Sequence, residues 1–73
     1  MGRLRPVKSD VLLKILQKYY GYSARMGSGR HVILQGSGGH TTVIQLNLEL
    51  RRGMVKKILN QTDLKWEDIE KHL

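Results

Sequence analysis

Near the start of the chain, apolar positions recur at helical spacing. Val11, Leu12, Ile15, Leu16 and Tyr19 are separated by Lys14, Gln17 and Lys18, which predicts one amphipathic helix of about three turns. Ser9 is positioned to cap its start, with Asp10 beside the positive helix end. Gly21 is placed to stop it. The same stripe assigns Tyr19 to the core. Residues 1–7 contain Pro6, which disfavours helix before it, and read as a loose entry segment. From 22 to 48 the period changes to two. Tyr22–Met26 reads as a short strand, His31–Gln35 as a better one, and Thr41–Ile44 as the most strand-like stretch. Gly27-Ser28-Gly29 and Gly36-Ser37-Gly38-Gly39 are the turns between them. From residue 50 the helical period returns. Leu50, Val55, Ile58 and Leu59 face one way, and Arg51, Arg52, Lys56 and Lys57 face elsewhere. Asn60 to Asp63 is expected to break this helix, and Trp66, Ile69 and Leu73 mark a short acidic last helix.

That order predicts an α+β fold: a two-layer α-β-β-β-α sandwich with a short extra C-terminal helix, forming a single domain over residues 1–73. Alternation within the strands sorts their faces. His31, Ile33 and Gln35 share one side and Val32 and Leu34 the other; Thr42, Ile44 and Leu46 oppose Thr41, Val43 and Gln45. The more apolar sets should meet the helices, leaving His31 on the wetter face beside Gln and Thr side chains.

Composition narrows the function classes. Seventy-three residues leave no room for a nucleotide-binding domain with its own substrate domain. The absence of cysteine excludes disulfides, thiol catalysis and thiolate metal sites. The longest apolar runs are three residues, Val11–Leu13 and Val32–Leu34, so no membrane span or signal peptide is expected. A reducing cytoplasm is the expected location. Thirteen Lys and Arg against six Asp and Glu give a net charge of +7. Residues 1–60 hold eleven bases against Asp10 and Glu49, a balance of +9, whereas residues 61–73 hold two bases against four acids, a balance of −2. So basic a body attracts polyanions through counterion release, which points to nucleic acid. A solubilising surface, or one that meets an acidic protein, fits the same charge.

Few residues carry candidate chemistry. His31 follows a glycine turn on an accessible face, where an imidazole is able to exchange protons near neutrality; an ordinary surface histidine has the same placement. His40 lies by the second turn, about four residues or about 13 Å of strand away, too far for a two-histidine pair within the hairpin. His72 is expected to cap the last helix. No three ligands have metal-binding spacing, and no cofactor is expected. Gly36-Ser37-Gly38-Gly39 has the G-x-x-G spacing of KH domains, but it joins two strands where a KH loop joins helices, so it reads as a hairpin turn. Arg51, Arg52, Lys56 and Lys57 form either a solvated helix face or, with Arg25 and Arg30, an anion track. Tyr19, Tyr20 and Tyr22 are able to stack on bases.

The segment Gly29-Arg30-His31-Val32-Ile33-Leu34, and the later Glu49-Leu50-Arg51-Arg52-Gly53-Met54-Val55-Lys56-Lys57-Ile58-Leu59, resemble the HicA (YcfA-like) toxins, the mRNA interferases of HicA–HicB toxin–antitoxin modules. The resemblance covers nearly the whole chain. It departs at Arg30, where the family has Ser or Gly, at Ile44–Leu48, where the family often has Pro and a second His, at Met54 for Thr, and at Asp63, where the family has glycine. The resemblance implies a fold similar to double-stranded RNA-binding domains (dsRBD-like) and an endoribonuclease in which His31 is catalytic. Phosphate would be bound by cations among Arg25, Arg30, Arg51, Arg52, Lys56 and Lys57. It further implies metal-independent cleavage, an mRNA substrate, a HicB-like antitoxin partner, and a monomer when free. A non-catalytic RNA-binding domain of the same fold is the alternative. A DNA-binding or purely protein-interaction domain is a third reading, without helix-turn-helix spacing to support it.

Overall fold

In the computed structural model, residues 3–73 are described. The predicted helix forms over Ser9–Tyr20 (α1). Leu12, Ile15 and Leu16 are buried along one face. Gly21 closes it in the left-handed conformation, φ 69°, with the Tyr22 N–H donating to the Leu16 carbonyl at 3.1 Å, a reversal that suits a residue without Cβ.

The remaining elements are the strands Val7–Lys8 (β1), Ser23–Met26 (β2), His31–Gln35 (β3), Thr41–Gln45 (β4) and Glu49–Leu50 (β5), and the helices Arg52–Thr62 (α2) and Trp66–Glu70 (α3). Strands β2, β3 and β4 form an antiparallel meander in that order. Its register pairs Arg25 with Ile33, His31 with Gln45, and Ile33 with Val43. The alternation is the predicted one. Val32, Leu34, Thr42 and Ile44 are buried beneath the helices, while His31, Gln35, Thr41, Val43 and Gln45 are exposed. The chain is therefore an α+β protein with an α-β-β-β-α core, a short last helix and a small added two-stranded sheet.

That second sheet corrects the reading of residues 1–7 as a loose entry: Val7 pairs with Leu50 and Lys8 with Glu49. Leu50 accordingly belongs to a strand and not to the helix after it. Ser9 does not cap α1, whose cap position is Lys8. Ser9 is fully buried; its N–H donates to the Leu48 carbonyl at 2.9 Å and its Oγ accepts from the Leu48 N–H at 3.3 Å. A hydroxyl at this border satisfies a backbone group 39 residues away, which holds the segment entering α2 against the start of α1.

Three further positions differ from expectation. Asn60, Gln61 and Thr62 continue α2, and the buried Thr62 hydroxyl is satisfied by donating to the Ile58 carbonyl at 2.8 Å. The break falls at Asp63, left-handed at φ 56°. Tyr19 is exposed, and Tyr22 occupies the core in its stead: the chain turns at Gly21 and swings Tyr22 beneath the sheet, where its hydroxyl donates to the Thr62 carbonyl at 3.3 Å. His72 does not cap α3. Its ring stacks on Tyr19 with centroids 3.7 Å apart. Tyr20 donates to the Asp68 carbonyl at 2.6 Å, and the Asp68 carboxylate accepts from the Lys65 N–H at 2.9 Å. Trp66 and Ile69 complete the shared core, whereas Leu73 lies outside it.

Candidate functional site

His31 opens β3 directly after the turn at residues 28–30. The turn is closed by the His31 N–H donating to the Ser28 carbonyl at 3.2 Å and the Gly27 N–H donating to the His31 carbonyl at 2.8 Å. The same Ser28 carbonyl lies 3.1 Å from His31 Nδ1. A carbonyl oxygen only accepts, so this contact favours the form with the proton on Nδ1, in which Nε2 is the nitrogen available for exchange. The turn thus orients the ring and favours one tautomer.

Beside this ring is a cleft of about 680 Å³, lined by His31, strand β4, the Leu48–Arg51 segment and one row of α2. That row is Met54, Lys57 and Gln61, three and four residues apart and so on one side of the helix. Gln61 is held by the Thr42 hydroxyl, which donates to its Oε1 at 2.6 Å. Arg51 is held from the other direction, since it follows β5, which β1 and Ser9 clamp in place. His31, Arg51 and Lys57 thus line one cleft, with Glu49 as the carboxylate among its lining residues.

The electrostatics at its mouth are unusual for a helix start. Arg51 is the N-cap of α2, Arg52 is its first residue, and its first turn holds no acid. Free amide N–H groups already make that end positive, and proteins ordinarily place acids there. Two guanidiniums at this helix start add positive potential at the expense of helix stability, and one of them, Arg51, lines the cleft with His31.

The six predicted cations divide into groups. Arg51 and Lys57 line the cleft with His31. Arg52 and Lys56 line a different depression, with Arg3 and Leu4. Arg25 shares the sheet face of His31, across from Ile33, and is not part of the cleft lining. Arg30 is exposed in the turn, one residue before β3 begins, and its carbonyl accepts from the Leu46 N–H at 2.9 Å. The cations therefore do not make one continuous track. Sequence reasoning missed Glu49, Met54 and Gln61 as neighbours of His31. The exposed alternation of β4 pointed to Gln45, but nothing local in the chain announces that α2 lies along this cleft. Among the described residues, no three of His, Cys, Asp and Glu converge to hold a metal ion, and no helix is long and apolar enough to cross a membrane. No family model and no curated protein matches this chain.

Proposed function

We propose that the protein is an endoribonuclease acting on mRNA, the toxin of a type II toxin–antitoxin module of the HicA kind, working as a monomer in the cytoplasm and restrained by a HicB-like antitoxin. The observation that carries this reading is the joint placement of an oriented His31 with Arg51 and Lys57 in one cleft.

The chemistry follows from those groups. The RNA 2′-oxygen attacks the adjacent phosphorus while the bond from phosphorus to the 5′-oxygen breaks. The products are a 2′,3′-cyclic phosphate and a 5′-hydroxyl end. His31 Nε2 moves one proton, taking it from the 2′-hydroxyl or giving it to the leaving oxygen. Arg51 and Lys57 offset the charge that accumulates on the phosphorane-like transition state, where preorganised cations act most strongly. The second proton has two candidate carriers in the same cleft, the Glu49 carboxylate and the Lys57 ammonium. The strongly basic body draws in the polyanion.

The test is a labelled mRNA incubated in EDTA with wild type and with His31→Ala. Fragments ending in cyclic phosphate from wild type alone support the proposal. Equal cutting by both proteins refutes the role of His31. RNA bound but uncut by both leaves a non-catalytic RNA-binding domain as the function.

A further inference from the structure

The meander ends in a strand whose outer edge is open. In an antiparallel ladder, alternate residues turn their backbone groups toward the neighbouring strand. The Leu46 N–H donates to the Arg30 carbonyl and the Gly36 N–H to the His40 carbonyl, so Thr42 and Ile44, in phase with them, face β3. Thr41, Val43 and Gln45 turn their N–H and C=O groups the other way, and β4 is the last strand of its sheet. Proteins blunt such edges with charge, proline or a bulge. Strand β4 reads Thr-Thr-Val-Ile-Gln and has none of these. Its five residues, about 16 Å of strand, run along the His31 cleft.

We infer that this edge is a docking site for an extended acidic segment of a partner protein, which adds to the sheet as a fourth strand. Backbone groups of Thr41, Val43 and Gln45 supply the ladder, as in other cases of strand addition. Val43, Leu48 and Met54 are 45%, 36% and 44% exposed, and they give apolar contact to alternate side chains of the incoming strand. Arg51 and Lys57 outnumber Glu49 among the charged residues of the same groove and select carboxylates for the remainder. A second copy of the chain fits poorly, because two bodies of net charge +7 would meet. The docked strand also fills the cleft that His31 lines and so competes with RNA for it. That consequence rests on the function proposed above, whereas the docking itself does not.

The probe is a capped seven-residue peptide alternating Val with Asp, compared with its Val–Lys counterpart. Binding is followed by amide hydrogen exchange on the full chain without RNA, so its outcome is independent of nuclease activity. The acidic peptide is expected to slow exchange at Thr41, Val43 and Gln45 and to bind at least tenfold more tightly than the basic one. Val43→Pro removes one edge donor without touching the β3 ladder, and an edge position tolerates proline; it should weaken the peptide at least tenfold. Lys57→Glu, an exposed helix substitution, should reverse the charge preference and keeps the test decisive if the proline variant misfolds. The inference is overturned by no binding at millimolar peptide, by protection on β2 instead, by a Val43→Pro protein that folds and binds as wild type, or by sedimentation showing that the edge is filled by a second copy.

Discussion

Gly36 leads into the second hairpin turn, and a side chain there has nowhere to go. A Cβ added at Gly36 would lie 2.9 Å from Tyr22 Cζ, 3.1 Å from Cε2 and 3.2 Å from Oη. The Tyr22 ring is buried and its hydroxyl is tied to Thr62, so it does not swing aside as an exposed side chain would. Gly36→Ala should therefore behave as an overpacked core substitution and cost about 1–3 kcal/mol. In a domain of this size that lowers Tm by about 4–8 °C per kcal/mol. Gly38→Ala, two residues further along the same turn, is the control. Its Cβ would meet only the His40 ring, at 3.6 Å, an ordinary contact, so stability should change by less than about 1 kcal/mol. Thermal and urea unfolding are readable from the single tryptophan, Trp66, which is buried. In a Tyr22→Leu background the Gly36→Ala penalty should shrink, because the two sites share one contact. Equal melting of Gly36→Ala and Gly38→Ala, or a penalty undiminished in the Tyr22→Leu background, would refute the packing argument.

Three other outcomes follow from particular residues. Asp63→Gly relieves a left-handed position at φ 56° and should raise stability by up to ~1 kcal/mol, measured by urea unfolding; Asp63→Val should lower it. Burial raises the pKa of Tyr22 above 10.0, and the nearby Asp63 charge raises it further. The folded chain thus holds this proton more tightly than the unfolded one. The resulting stability is intact below about pH 10 and is lost as pH rises through the higher folded value. Alkaline unfolding should show this loss, Tyr22→Phe should flatten it, and Asp63→Gly should reduce it without abolishing it. Arg51→Gln and Lys57→Gln should each lower the slope of log affinity against log salt for single-stranded RNA by about 0.7, read by fluorescence anisotropy; unchanged slopes would remove these side chains from the phosphate contacts.

The parts of the fold legible in the sequence are those with a period. Strand alternation placed Val32, Leu34 and Ile44 inside and His31 outside, and Gly21 marked the end of α1. The two-residue strands β1 and β5 were not legible, since neither is long enough to show alternation and their pairing joins residues about forty positions apart. Ser9 has the composition of a helix cap, yet its hydroxyl serves Leu48, a partner that local pattern does not reveal. Tyr19 continues the apolar stripe of α1, but the stripe outlasts the core at that end, and the reversal at Gly21 delivers Tyr22 there. The candidate site was legible in its centre, His31. Its surroundings arise from the packing of α2 beside β4, so Lys57 and Arg51 separated from Lys56 and Arg52 only when the helix face was known.

The proposed function requires that RNA is taken into the His31 cleft. The most direct measurement is a titration of the isotope-labelled protein with a single-stranded 2′-O-methyl RNA, which has no free 2′-hydroxyl to attack, followed by amide and side-chain NMR shifts. If RNA enters this cleft, His31, Gln45, Arg51 and Lys57 respond first and saturate together. A response centred on Arg3, Arg52 and Lys56, or on the Tyr19–His72 stack, with the His31 ring unmoved at saturation, would contradict it.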